Sequence, residues 1–331
     1  MPLSITEINL IIYVFGPVTA LLGYFFCNAY INLWVKCGFG DKTATGYGVL
    51  GPVLVLLALI LSFPKSEYLF PLCALTLITF IYWIDDLFGL SATTRVFLMV
   101  LLVPVFYLFI DRAADNLALA PTVLFFSCSL LSILLVNVSN FYDGADLNLV
   151  TFILLFTVTN SFFIPIDHPL FLVLWVFASF SLGFSFQNAN PFSIYFGDSG
   201  SFFFAGVIFL VLISILSGAL SFQPLMLVPL FIPVLDVVFV LFIRMRRRED
   251  LLSRNYYHLY QRIQILSDRK FFYLMPQIMN LFVCFMLNYL FQIWVNFEQI
   301  FFIFIFFCVT LIIYFLFFLS FGDFKGLLNG K

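Results

Sequence analysis

Long apolar runs alternate with short polar interruptions from one end of the chain to the other. About 20 apolar residues at 1.5 Å per residue cross the hydrocarbon of a bilayer as a helix. About eleven runs meet that length, at roughly 7–34, 47–63, 67–84, 94–111, 118–138, 147–166, 169–186, 202–220, 224–243, 271–293 and 298–321. The pattern predicts an all-α polytopic integral membrane protein of about 11 transmembrane helices, read as one transmembrane domain over residues 1–331.

Composition sharpens this. Of 331 residues 63% are hydrophobic, 10% are charged and 49 are phenylalanine, a balance no soluble core explains. The first run has neither a basic leader nor a small-residue cleavage site and is expected to be a retained helix. Six cysteines lie in or beside apolar segments without a paired motif, which suits packing and neither a disulfide framework nor a zinc site. If the stretch after the first run is cytoplasmic, the alternating loops put all of the 15 Lys and Arg except Lys65 and Arg112 on that face. The positive-inside bias then predicts an external amino terminus and an internal carboxyl terminus carrying Lys325 and Lys331. The outer loops are very short, so no extracytoplasmic domain is expected.

Carboxylates near hydrocarbon are expensive, which makes their placement informative. Four polar clusters fall on the inner face: Asp85-Asp86, the run from Asn137 to Asp146, the run from Asn188 to Ser201, and the basic stretch Arg244 to Arg262 that carries His258. Neighbours on a helix point about 100° apart, so one of Asp85 and Asp86 can face a ligand while the other caps or braces. Asn137, Asn140, Asp143 and Asp146 recur every third residue and share a slowly turning face, with Gly144 permitting a break or close approach. Gly197-Asp198-Ser199-Gly200-Ser201 opens an apolar helix, where a carboxylate, hydroxyls and free backbone N–H groups suit a phosphate and its metal. Without a Cys or His cluster on that face, the hard oxygen ligands imply Mg²⁺, or Mn²⁺, over zinc. A basic loop over 244–270 beside such acids suits a diphosphate substrate and phosphoryl transfer.

These motifs resemble the polyprenyl-phosphate N-acetylhexosamine-1-phosphate transferase family, glycosyltransferase family 4. The residues that carry the likeness are Asp85, Asp86 and Arg95; Asn137, Asn140, Asp143, Gly144 and Asp146; Gly183, Phe184, Asn188 and Pro191; Gly197 to Ser201; and Pro233, Asp236, Arg244 and His258. Order and spacing agree over about 84–262. The resemblance implies transfer of a sugar-1-phosphate from a UDP-sugar to a polyprenyl phosphate, with release of UMP. It implies Asp198 as the magnesium ligand and Asp85 near the lipid phosphate as a base or metal-side ligand. Asp86 belongs to the same catalytic set, and Asp143 or Asp146 would help hold nucleotide and metal. Asn137, Asn140 and Asn188 complete the substrate-binding set. Tyr195 would stand where the family places an aromatic against uracil. His258, with Arg244, Arg254 and Arg95, would contact phosphates or sugar. The implied setting is the bacterial inner membrane, with membrane lipids and no nucleic acid as partners; a homodimer is compatible, though no residue demands one.

Departures from the pattern narrow the reading. The first inner loop reads KCGFGDKTATGYGVLGP, leaving Lys42 as the basic residue near Gly46 and Gly48 and weakening a nucleotide contact there. Leu147 replaces a frequent glycine, and Met99 a frequent glutamine. One histidine in NYYHLYQR resembles the subgroup that starts O-antigen or capsule glycans. Bland alternatives stand beside these roles. Asp236 would equally serve a structural hydrogen bond, the arginines after residue 243 are expected at any cytoplasmic helix end, and His168 reads as incidental. Residues 251–265 suit an interfacial amphipathic helix with Tyr256, Leu259, Tyr260 and Ile263 toward the membrane. Intramembrane acids would also suit a proton- or ion-coupled transporter, and the motifs would suit an inactive relative; the crowding of acids on one rim favours the transferase.

Overall fold

A computed structural model describes residues 5–39, 43–189, 194–249, 257–267, 269–294 and 299–321. Lys42, Pro191, Arg254, Tyr256, Lys325 and Lys331 lie outside the described residues, and with them the roles expected of Lys42 and Arg254. The described residues are helical with no strand, and they form two compact units, 1–221 and 222–331.

The first unit contains α1 (Ile5–Trp34), α2 (Leu50–Ser62), α3 (Leu69–Phe88), α4 (Ala92–Val105), α5 (Tyr107–Leu117), α6 (Pro121–Tyr142), α7 (Asn148–Ser161), α8 (Pro169–Asn188) and α9 (Gly197–Leu216). Its axis is α9. That helix is apolar all round beyond its first turn, and a helix without a polar face has to be enclosed. Phe202, Phe203 and Phe204 are fully buried there, and α3 and α6 pack alongside. Tyr82 stacks on Phe202 at 4.2 Å, while Phe152 and Phe177 meet Phe204 and Phe203 at 5.0 Å. On the far side α8 carries α1 through small residues. A methyl group at Gly183 would lie 1.8 Å from the Ala20 carbonyl oxygen, and one at Gly23 2.4 Å from that of Phe180. Close backbone approach through small residues is how membrane helices gain dispersion contacts when lipid removes the hydrophobic drive.

Among the described residues eight helices are long and apolar enough to cross a membrane, or nine if one bent pair is a single span. Three of the expected spans differ in form from a single long helix. The run at 94–111 is broken by 66° between α4 and α5, where Pro104 removes a backbone donor and lets the chain turn. The runs at 47–63 and 147–166 contain α2 and α7, of 13 and 14 residues. With the 3-10 turn Tyr47–Val49 that leads into α2, these helical stretches reach about 20 to 25 Å, short of the hydrocarbon thickness. Hydropathy counts apolar residues wherever the backbone places them, so it overestimates helix length at turns.

The second unit holds α10 (Val228–Arg247), α11 (Leu259–Leu266), α12 (Met275–Trp294) and α13 (Gln299–Phe321). The last turn of α10 carries Arg244, Arg246 and Arg247, cations that suit the negative end of a helix. The short α11 packs on α13, with Leu259, Tyr260 and Ile263 at most 4% exposed. That face is buried in protein, which corrects the expected membrane-facing amphipathic helix.

Candidate active site

The first inner loop and the start of α9 are built together. The Tyr195 N–H donates to the Ala44 carbonyl at 3.0 Å, and the Gly48 N–H to that of Phe196 at 2.9 Å. Gly48 and Gly200 touch backbone to backbone, since a methyl group on Gly48 would lie 2.3 Å from the Gly200 Cα. Thus the G-x-G of residues 46–48 seats the foot of α9.

Around that foot stand four carboxylates and one guanidinium. Asp85, in the last turn of α3, has a fully enclosed side chain and takes a two-point ion pair from Arg95 of α4: Nε to Oδ2 at 2.7 Å, Nη2 to Oδ1 at 2.9 Å. It also accepts the Leu90 N–H. Ser91 caps α4 by accepting the Thr94 N–H at 3.1 Å, and the Tyr82 hydroxyl donates to the Arg95 carbonyl at 3.1 Å. The free corner of the guanidinium, Nη1, lies 3.6 Å from Asp198 Oδ2. Asp198 sits in the first turn of α9 with its side chain 31% exposed, against 0% for Asp85. Of these two expected metal ligands, Asp85 is enclosed and Asp198 is partly exposed.

Asp86 turns the other way, as the 100° offset requires. Its Oδ1 accepts the Asp198 N–H at 2.8 Å, its Oδ2 accepts the Ser199 N–H at 3.1 Å, and the Thr45 hydroxyl donates to Oδ1 at 3.4 Å. Asp143, the C-cap of α6, accepts the Gly197 N–H at 2.7 Å. Burial pushes the Asp143 carboxyl well above the usual carboxylate range, with the Gly197 N–H pulling the other way. The free N–H groups expected at residues 197–199 are therefore taken. A helix start attracts any anion within reach, and here the protein supplies its own.

The asparagines divide. Asn140 pairs with the Ser201 hydroxyl and so touches the first turn of α9. Asn188 is 3% exposed, accepts the Leu147 N–H and donates to the Ile194 carbonyl at 2.7 Å, tying the α6–α7 turn to the loop before α9. Leu147 holds φ 60°, the left-handed region that explains a glycine at this point of the pattern. Asn137 turns back on its own helix, donating to the Ile133 carbonyl at 2.8 Å, with Met99 Sδ at 3.9 Å. Asp146 and Tyr195 are half-buried in the turn after α6 and the loop before α9.

The second unit holds a buried polar cluster. Asp236 is fully buried. Its Oδ2 meets His258 Nδ1 at 2.8 Å, and its Oδ1 accepts the Leu259 N–H at 2.8 Å and the Tyr314 hydroxyl at 3.0 Å. Asp236 thus holds the start of α11 and orients the imidazole, the structural hydrogen bond that was one of its two expected readings. Tyr314 carries no motif; its only signal is a hydroxyl in the apolar run LIIYFLFF. Arg244 is 1% exposed and lies 3.8 Å from Glu249, and Arg247 donates to the Tyr257 hydroxyl at 2.9 Å.

Magnesium keeps several waters and is held by one or two carboxylates together with substrate phosphates. Asp198, half-open beside Arg95, fits that mode. Among the described residues no group of three or more His, Cys, Asp or Glu is arranged to hold a metal.

Fold and site define a multi-pass helical membrane protein with carboxylates and an arginine gathered where α9 begins. Residues 68–216 match the family model described as glycosyl transferase family 4, which supports a phosphosugar transferase of that type. The match spans the whole carboxylate site of the first unit, implies transferase activity and suggests lipid and nucleotide-sugar partners. No curated protein matches the chain.

Proposed function

We propose that this protein transfers a sugar-1-phosphate from a UDP-linked N-acetylated aminosugar to undecaprenyl or a related polyprenyl phosphate, releasing UMP. We assign it to the bacterial inner membrane with its site on the cytoplasmic face, at the first membrane step of O-antigen, capsule or envelope polysaccharide synthesis. The observation that carries the reading is the partly exposed Asp198 carboxylate on the first turn of α9, facing Arg95, inside the segment that matches the family.

The acceptor oxygen attacks the sugar-bearing phosphorus and the bond to UMP breaks, so one diphosphate replaces another. Positioning and charge neutralisation dominate such a step. A phosphate monoester is already largely a dianion at neutral pH, so the acceptor needs no base. Asp85, with both oxygens on Arg95, acts in this reading by aiming the guanidinium at phosphate oxygens. Asp198 would hold Mg²⁺ or Mn²⁺, which supplies neutralisation of the diphosphate charge when bound.

The test is UMP release by purified protein with undecaprenyl phosphate and magnesium across a panel of UDP-N-acetylhexosamines and their 6-deoxy relatives. Release with one donor, lost on chelation and in Asp198→Asn while the variant stays folded in detergent, is the expected result. Full activity in Asp198→Asn would remove the assigned metal role.

A further inference from the structure

We propose that Asp86 and Asp143 are positioning residues that clamp the first turn of α9 from outside and so aim Asp198; this rests on the transferase reading above. The geometry carries it. Three consecutive donors, the N–H groups of Gly197, Asp198 and Ser199, are each accepted by one of these two carboxylates, at 2.7, 2.8 and 3.1 Å. The acceptors come from two other helices, 54 to 113 residues away along the chain. Both oxygens of Asp86 are used in this way.

The fit leaves no slack. A methyl group on Gly197 would lie 2.6 and 2.7 Å from the two Asp86 oxygens, so the carboxylate is pressed against the backbone it caps. Asp198 lies inside the clamped stretch, its own N–H held by Asp86 while its side chain points to Arg95. An uncapped first turn frays, and a frayed turn would let Asp198 swing away from the guanidinium. Neither Asp86 nor Asp143 needs to touch substrate or metal for its loss to stop the reaction.

Amide chemistry separates this from a ligand or base role. Asparagine accepts one N–H as well as aspartate does, yet it is no base and a poor metal ligand. Asp143 serves one N–H, so Asp143→Asn keeps the clamp and Asp143→Ala breaks it. Misplacement by about 1 Å costs on the order of a hundredfold in rate. The expected results are therefore UMP release within about tenfold of wild type for Asp143→Asn and a loss of about a hundredfold for Asp143→Ala and Asp86→Ala. Added formate should partly restore Asp86→Ala by occupying the vacated donors, and amide hydrogen exchange at residues 197–199 should accelerate in both alanine variants but not in Asp143→Asn.

An Asp143→Asn protein that is folded and as inactive as Asp198→Asn overturns the proposal, as does unchanged exchange at residues 197–199 in the alanine variants. If wild type releases no UMP from any donor, the transferase reading fails, and exchange alone decides the clamp: faster exchange in the alanine variants upholds it, and unchanged exchange ends it.

Discussion

Gly197 holds φ 80° at the foot of α9, and its missing side chain is what lets Gly46 and the Asp86 carboxylate close on it. Alanine there would enter the left-handed region and place a methyl group 2.4 Å from the Gly46 nitrogen. We expect Gly197→Ala to lose about 2 kcal/mol or more of stability, read by thermal unfolding in detergent, and to lose UMP release with it. The Asp85–Arg95 pair makes a second residue-scale case. Arg95→Met would leave a carboxylate enclosed without its cation; with the Arg95 side chain 38% exposed, water screens part of the effect. A loss of about 2 kcal/mol is expected, most of it recovered in Asp85→Leu/Arg95→Met, because the loss comes from the stranded charge. Stability of the double variant equal to that of Arg95→Met would argue against this. Asp85-Asp86 could be read from the sequence as two acids doing different jobs, since helical neighbours diverge. Which acid did which was not legible, because the Asp198 and Ser199 N–H groups that Asp86 meets lie 112 and 113 residues further on.

At the scale of elements, helix ends are where this chain places its polar side chains. α8 begins at His168, whose Nδ1 accepts the Leu170 N–H at 3.2 Å, with Pro169 at the first helical position. The Tyr68 hydroxyl lies 3.4 Å from Nε2. A histidine that reads as incidental is therefore a cap. Nδ1 can accept only when unprotonated, and burial lowers the His168 pKa below its ordinary 6.5. A depressed folded-state value means the cap's contribution is fully present above about pH 6.5 and lost as pH falls through the folded value. His168→Ala should cost about 1 kcal/mol at pH 7.5, while His168→Asn should keep the cap and flatten the acid side of the stability profile. A wild-type profile no steeper than that of His168→Asn would contradict the assignment. Helix existence was legible from apolar run length for most of the chain. The lengths of α2 and α7 and the break between α4 and α5 were not, since apolar residues in turns and short helices raise hydropathy as much as those in spans.

For the whole molecule, the all-helical multi-pass architecture follows from composition, but orientation depends on the side to which the basic loops are assigned. α3 (Leu69–Phe88) runs between the loop with Lys65 and the turn before α4. In a cysteine-free background, Lys65→Cys should react with an impermeant maleimide added to intact cells, and Thr93→Cys only after permeabilisation. The reverse pattern would put the carboxylate site on the outer face and remove the proposed access to a cytoplasmic nucleotide-sugar.

The sequence by itself determined the class of protein, the acids and glycines that carry its motifs, and the hard-ligand chemistry they offer. Those depend on residue type and on spacing within one or two helical turns. Tertiary structure alone decided that Asp198 stays partly exposed, that Asp86 and Asp143 accept the N–H groups of a helix start, and that Asn188 braces a turn. It also decided that Asp236 gathers His258 and Tyr314, which lie 22 and 78 residues further along the chain. Buried polar groups must find partners when water is excluded, and in a folded helical chain the nearest partner is set by which helices pack together.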